Sequence, residues 1–220
     1  MRIIAGSARG RQLRSLKSGL RPTADRVRES LFSILAPRIE GARFLDLYAG
    51  VGTVGLEALS RGAAEAVFVE SHRPAARLIG ENAALCGLAD RAEVIYAPVE
   101  RGLALLRRRG RQFDLIFIDP PYERGEVPGV LGRLAQQAEM LAEKGLLICQ
   151  HSRHEEAPEQ IGPFGRMRRV RSGETIIDMY ERREVEGGNG EIATVVGRLR
   201  TFAQQSNIGR TSSFRYSLVF

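Results

Sequence analysis

RFLDLYAGVGTVG, residues 43–55, joins a short apolar run to three glycines in the spacing GxGxxG (Gly50, Gly52, Gly55) and leads into a helical pattern, TVGLEALSR, that Gly62 ends. An apolar run of this length, then a glycine turn, then helical periodicity reads as a buried strand, a tight turn and a helix. Glycines there let the backbone approach a nucleotide-like ligand, and the first turn of the helix offers N–H groups with no partner inside the helix. Taken alone, the pattern suits a dinucleotide, a methyl donor or merely a tight turn. Asp46, four residues before Gly50, tilts the choice. A carboxylate at the strand's end accepts hydrogen bonds from the α-ammonium group of a methionine moiety, whereas a pyrophosphate is repelled by it.

The alternation continues downstream. AVFVE (66–70), AEVIYA (92–97), FDLIFID (113–119) and LLICQH (146–151) read as strands, separated by helices over 74–86, 99–109 and roughly 127–142. Repeated β-α-β order predicts a parallel sheet covered by helices on both faces. RMRRVR and TIIDMYER, around Gly173-Glu174, read as a closing antiparallel hairpin. Upstream, residues 2–16 alternate apolar and basic stretches around Gly6 and Gly10, which suggests a small hairpin. A helix follows, with Thr23 as its cap, Asp25 in its first turn, Val27, Leu31, Ile34 and Leu35 at helical spacing, and Pro37 as its stop. The chain therefore divides into a basic N-terminal hairpin and helix (1–40), a main α/β domain (41–183) and an extension (184–220) that opens on the flexible junction EGGNG.

Two further sites carry chemistry. Glu70 ends the strand after the glycine helix, where an acid grips two ribose hydroxyls, a service needed equally by NAD and by S-adenosylmethionine. Asp119-Pro120-Pro121-Tyr122 directly follows FDLIFI, beside the glycine turn. Two prolines hold that chain extended and aim the Asp119 carboxylate and the Pro120 carbonyl at one amine, while Tyr122 can stack on a planar base. A nicotinamide-dependent oxidoreductase has no use for this motif. An exocyclic amine of guanine is a poor nucleophile, because its lone pair is delocalised into the ring. Acceptors aimed at its N–H groups favour the pyramidal, more nucleophilic form. His151 and His154 lack a third ligand and read as a polar strand end rather than a metal site. His72 reads as an exposed loop residue, and Arg107, Arg108 and Arg109 as a solvated helix end.

Composition bounds the class. A chain of 220 residues, 43% hydrophobic, buries one substantial core. No apolar run approaches the ~20 residues needed to span a bilayer, and the basic start MRIIAGSARGRQ lacks a secretory apolar stretch, so a cytoplasmic protein is expected. Cys86 and Cys149 read as buried reduced thiols. Residues 1–43 hold ten Arg or Lys against three acids, a net +7 that equals the net charge of the whole chain. A cationic patch concentrated in one fifth of the sequence attracts a phosphate backbone through counterion release, although a solvated basic face has the same composition.

With these motifs placed, the chain resembles the bacterial methyltransferases that form N2-methylguanine in small-subunit (16S) ribosomal RNA. The resemblance runs through MRIIAGSARGRQL, RPTADRVRESLFSIL, LDLYAGVGTVGLEALSRGA, FVE and FDLIFIDPPY to the closing hairpin, roughly residues 1 to 183. DPPY alone is shared with DNA amino-methyltransferases and with glutamine methyltransferases of release factors. The resemblance implies a Rossmann-like class I methyltransferase fold, with a seven-stranded, mostly parallel sheet whose last strand is reversed. It implies S-adenosylmethionine as donor and, as acceptor, a guanine of ribosomal RNA within the small subunit or its assembly intermediate; independently, the lack of an extended apolar heptad leads us to expect a monomer, and the lack of a ligand set a protein without a metal. Asp46, Tyr48, Gly50, Gly52, Glu70 and Asp119 then correspond to the donor site. Asp119, Pro120, Pro121 and Tyr122 correspond to the acceptor site, and Arg9, Arg11, Arg21, Thr23 and Arg26 to an RNA-facing element. Where the family places an acid near the adenine, this chain has Ala97-Pro98, so either Glu100 or backbone groups serve there.

Overall fold

In a computed structural model of the protein, residues 1–16, 22–121 and 125–183 are described, with backbone alone for 22–24. Strand β1 (Arg43–Leu47) lies between β2 (Glu65–Glu70) and β4 (Phe113–Ile118), parallel to both. A strand covered on both faces must be apolar at successive positions. Phe44, Leu45 and Leu47 are fully buried, and Asp46 is the one carboxylate among them, 2% exposed. β3 (Ala92–Tyr96) adds to β2 at the outer edge, and β5 (Leu141–Ser152) adds to β4, again parallel. Helices α2 (Thr53–Ser60), α3 (Arg73–Leu85), α4 (Val99–Arg108) and α5 (Glu126–Gln136) join these strands in turn. Each face of the sheet has its own core. Phe44, Phe68 and Phe117 pack with Leu56 of α2 and Ile79 of α3, while Leu45, Leu47 and Ile116 pack with Leu103 of α4 and Leu131 of α5.

β6 (Gln160–Ile161), β7 (Phe164–Ser172) and β8 (Thr175–Arg182) complete the order β3-β2-β1-β4-β5-β8-β7-β6. The Rossmann-like class is as expected, and β8 runs antiparallel to β5, which is the reversed strand. The described sheet has eight strands rather than seven, and the additional one is the two-residue β6, which periodicity cannot signal. The helix expected over 127–142 ends at Gln136, and β5 begins at Leu141. Met140 and Leu141 extend the helical spacing of Leu134, but both are buried by strand packing, and an irregularity in the β4–β5 register between Phe113 and Leu115 accommodates the early start.

Helix α1 (Pro22–Ile39) contains Pro37 rather than stopping at it. In the last turn a proline removes a single helical bond, and burial of Leu35 and Ile39 holds the helix together beyond it. The expected N-terminal hairpin is an isolated antiparallel bridge, Arg2 to Gln12, not a pair of strands. What holds this segment is buried polar chemistry on the helices beneath it. Glu57 of α2, fully buried, accepts the N–H groups of Ile4 and Ala5 at 2.8 and 3.0 Å. Ser60 Oγ accepts Ala8 N–H at 3.0 Å and donates to the Ala5 carbonyl at 2.6 Å. Asn82 of α3 bonds both backbone groups of Arg14, at 2.8 and 3.1 Å. At Gly6, a side chain would collide with the Ser60 carbonyl. Ile3, Ala8 and Leu13 meanwhile join the core that α1 also packs on.

Candidate active site

The carboxyl ends of β1, β2, β4 and β5 bring the motif residues together. Asp46 turns its side chain toward α2, where one carboxylate oxygen accepts the Gly55 N–H at 2.9 Å. Residue 55 has to be glycine, because a Cβ would strike the Phe68 ring and sit 3.1 Å from that oxygen. Gly52, at φ 83°, is the residue from which α2 starts. Glu70 fastens the turn from the neighbouring strand, one oxygen accepting Gly50 N–H at 2.7 Å and the other His72 N–H at 2.6 Å. Tyr48 lies between them at φ 59°, the only non-glycine residue with positive φ among the described residues. Left-handed backbone costs a residue with a Cβ about 1–2 kcal/mol, which the surroundings must offset. A hydrogen bond between the Tyr48 hydroxyl and Glu126 holds the side chain, and burial with that bond raises its pKa.

Asp119 follows β4, its N–H directed at the Leu47 carbonyl at 3.4 Å. The register Ile118↔Cys149 sets Gln150 of β5 beside it, and the Gln150 side chain hydrogen-bonds the carboxylate. Burial pushes the Asp119 carboxyl up to about 7 against that bond. Burial likewise pushes Asp46 up to about 8; the Gly55 N–H opposes the rise, and the charges of Asp119 and Glu70 add to it. Three carboxyl groups thus converge at the ends of three adjacent strands, with no cation paired to them among the described residues. Pro120 is buried and Pro121 exposed. A cleft of about 500 Å³ opens beside them, lined by Tyr48, Ser71, Pro98, Glu100, Pro121 and Arg133 among others, with Glu100 and Arg133 3.3 Å apart.

Tyr122 and Arg21 lie outside the described residues, as do residues 184–220, and of Thr23 the backbone alone is described, in the first turn of α1. Arg9, Arg11 and Arg26 are exposed and enter no ion pair among the described residues. His72 is exposed. His151, a polar residue near the end of β5 as expected, is buried: it is 1% exposed, with Nε2 3.0 Å from Asp178, which Arg169 grips with two bonds of 2.7 Å. Burial alone would raise the Asp178 carboxyl, but Arg169 and His151 hold it below its ordinary value. Glu57, Ser60, Asn82 and Gln150 were not singled out from the sequence. The signal available was a polar residue inside an otherwise apolar helical stripe, as in GLEALS and RLIGENAAL.

The family described as Conserved hypothetical protein 95 matches residues 1–181. Ribosomal RNA small subunit methyltransferase D of Escherichia coli K12 is 36% identical over 188 residues, covering 85% of this chain and 92% of that protein. YlbH of Bacillus subtilis 168 is 36% identical over 184 residues, covering 83% of this chain and 100% of that protein. Among solved structures, yhhF of Escherichia coli superposes with a TM-score of 0.71 at 35% identity, covering 83% of this chain and 98% of that one. With a family match that spans the N-terminal segment of residues 1–16 (the flap), the glycine turn, the Asp119 motif and nearly all of the final strand, the chain belongs to the ribosomal RNA small subunit methyltransferase D family.

Proposed function

We propose that the protein is a ribosomal RNA methyltransferase that moves a methyl group from S-adenosylmethionine to the exocyclic N2 amine of a guanine in small-subunit RNA. The observation that carries this reading is the convergence of Asp46, Glu70 and Asp119 at the ends of three adjacent strands around a glycine turn. Such a cluster of acids calls for a cationic ligand and repels a dinucleotide pyrophosphate. S-adenosylmethionine fits, since it carries an α-ammonium and a sulfonium and offers two ribose hydroxyls. Asp46 would hold the ammonium end, Glu70 the ribose, and Tyr48, Gly50 and Gly52 the intervening wall. Glu100, in the cleft beside Pro98, or backbone groups there would be the polar partner of the adenine. When bound, the donor supplies an electrophilic methyl group on a positively charged sulfur.

The remaining work belongs to Asp119-Pro120-Pro121-Tyr122. The Asp119 carboxylate and the Pro120 carbonyl accept the two N–H groups of the guanine amine and free its lone pair for attack. With the donor held by Asp46 and Glu70, its methyl group would be supplied to that nitrogen and the bonding pair left on the donor sulfur. The surplus amine proton then passes to Asp119 or to solvent. Tyr122 stacks on the extruded base. Arg9, Arg11, Arg21, Thr23 and Arg26, in the basic element of residues 1–40, would position the RNA backbone.

The test is methyl incorporation from labelled S-adenosylmethionine into small subunits lacking their own guanine methylation, followed by nuclease digestion and nucleoside identification. N2-methylguanosine is expected, lost with Asp119→Ala while RNA binding persists. Label found in DNA or protein would overturn the acceptor assignment.

A further inference from the structure

A second concavity lies away from the carboxylates, where α3 meets the outer edge of the sheet. It encloses about 620 Å³ and is lined by Arg73, Pro74, Ala76, Arg77, Val94 and Tyr96. Tyr96 ends β3, the outermost strand on this side, and is 60% exposed, more than any other large hydrophobic residue described. Its register partner is Glu70, so the ring stands at the same edge of the sheet as the candidate active site. The hollow also connects with the N-terminal segment. Arg77 and Arg14 reach the two oxygens of Glu81 at 3.3 and 2.7 Å, which places the hollow's rim beside the strand of chain that carries Arg9 and Arg11.

We propose that this hollow binds an unpaired stretch of the RNA substrate, with a base stacked on Tyr96 and its phosphates on Arg73 and Arg77. The proposal rests on the RNA reading above and extends the contact surface from the flap, over α3, to the β3 edge. An aromatic floor flanked by arginines is the arrangement that holds single-stranded nucleic acid, because every base presents a π-face and every linkage a negative charge. Pro74, Ala76 and Val94 supply a dry wall for the edge of the base. Arg77 is 78% exposed despite its ion pair. Exposed pairs of this kind contribute little to stability, so a phosphate can displace Glu81 readily. A protein partner matched to the hollow would have to bring its own acids to the two arginines, whereas RNA carries them at each step.

The experiment compares the full chain with Tyr96→Ala, Tyr96→Phe and Arg73→Glu/Arg77→Glu, using naked small-subunit RNA and small subunits over a range of salt. Binding of S-adenosylhomocysteine and the melting temperature serve as controls for folding. Expected are a loss of about tenfold or more in RNA affinity for Tyr96→Ala, near-complete rescue in Tyr96→Phe, and a salt slope reduced by about two for the double arginine variant. Donor binding and melting should stay as in the parent. Unchanged RNA affinity and salt slope in both disruptive variants would overturn the proposal. So would a loss confined to the protein-containing particle, which would make the hollow a protein dock. If the parent chain itself fails to bind the RNA, the reading beneath the proposal falls and takes the hollow with it.

Discussion

Asp46 and Asp119 carry the most consequential chemistry of single residues, because both are held well above the ordinary carboxylate range. Between about pH 4 and 8 the folded, ligand-free protein keeps a proton on Asp46 that the unfolded chain has released. Its stability therefore falls as pH rises through that window. A ligand with an α-ammonium favours the carboxylate, so S-adenosylhomocysteine should bind progressively more tightly from pH 6 to 8 and release a proton. Calorimetry in two buffers of different ionisation enthalpy reads that proton, and pH-independent binding with none released would remove Asp46 from the site. At Asp119 the Gln150 hydrogen bond opposes the rise caused by burial. Gln150→Leu should move the acidic limb of the kcat/KM profile to higher pH and leave donor affinity intact. Asp46, the glycines, Glu70 and Asp119 were legible because strand-end position and residue type suffice to place them. Gln150 was not, because its role depends on β5 pairing with β4, a contact no local pattern announces.

Among the elements, α2 shows why the N-terminal attachment escaped the sequence. Glu57 and Ser60 interrupt an otherwise apolar helix, and both are buried beneath the flap, whose backbone groups no sequence pattern brings to them. Glu57→Ala would leave the Ile4 and Ala5 N–H groups without their acceptor, at about 1–3 kcal/mol. The expected result is faster amide exchange at those two residues and weaker RNA binding, with the β-sheet amides unchanged. Equal exchange in parent and variant would show that apolar contacts of Ile3, Ala8 and Leu13 suffice. Gly55→Ala tests the other end of the same helix. Its methyl would enter the space of the Phe68 ring, so a loss of about 1–3 kcal/mol in unfolding free energy is expected, together with weakened donor binding. The elements over residues 43–118 were legible since the strands are short apolar runs and each helix carries its period and a glycine stop. The α5–β5 boundary was not, because Met140 and Leu141 satisfy both periods.

At the scale of the whole molecule, charge separates two tasks. The net charge of the chain equals that of residues 1–43, where Arg9 and Arg11 stand exposed on a segment pinned to the sheet's helices. Reversing both, Arg9→Glu/Arg11→Glu, should weaken RNA binding and flatten its salt dependence without touching donor affinity. A steep, unaltered slope would exclude this element as the RNA contact. The doubly covered parallel sheet was legible from alternation and its reversed strand from the family resemblance; the order of the strands was legible from neither, because non-local pairing sets it. The function required particular side chains at particular strand ends. Helix α2 has a further consequence for how such a protein can change over evolutionary time. Six of its eight residues are buried, and it is committed to the glycine turn at one end and to the flap at the other. A library of random substitutions should find Thr53–Ser60 among the least tolerant segments, so drift in RNA preference would be confined to the exposed arginines around it.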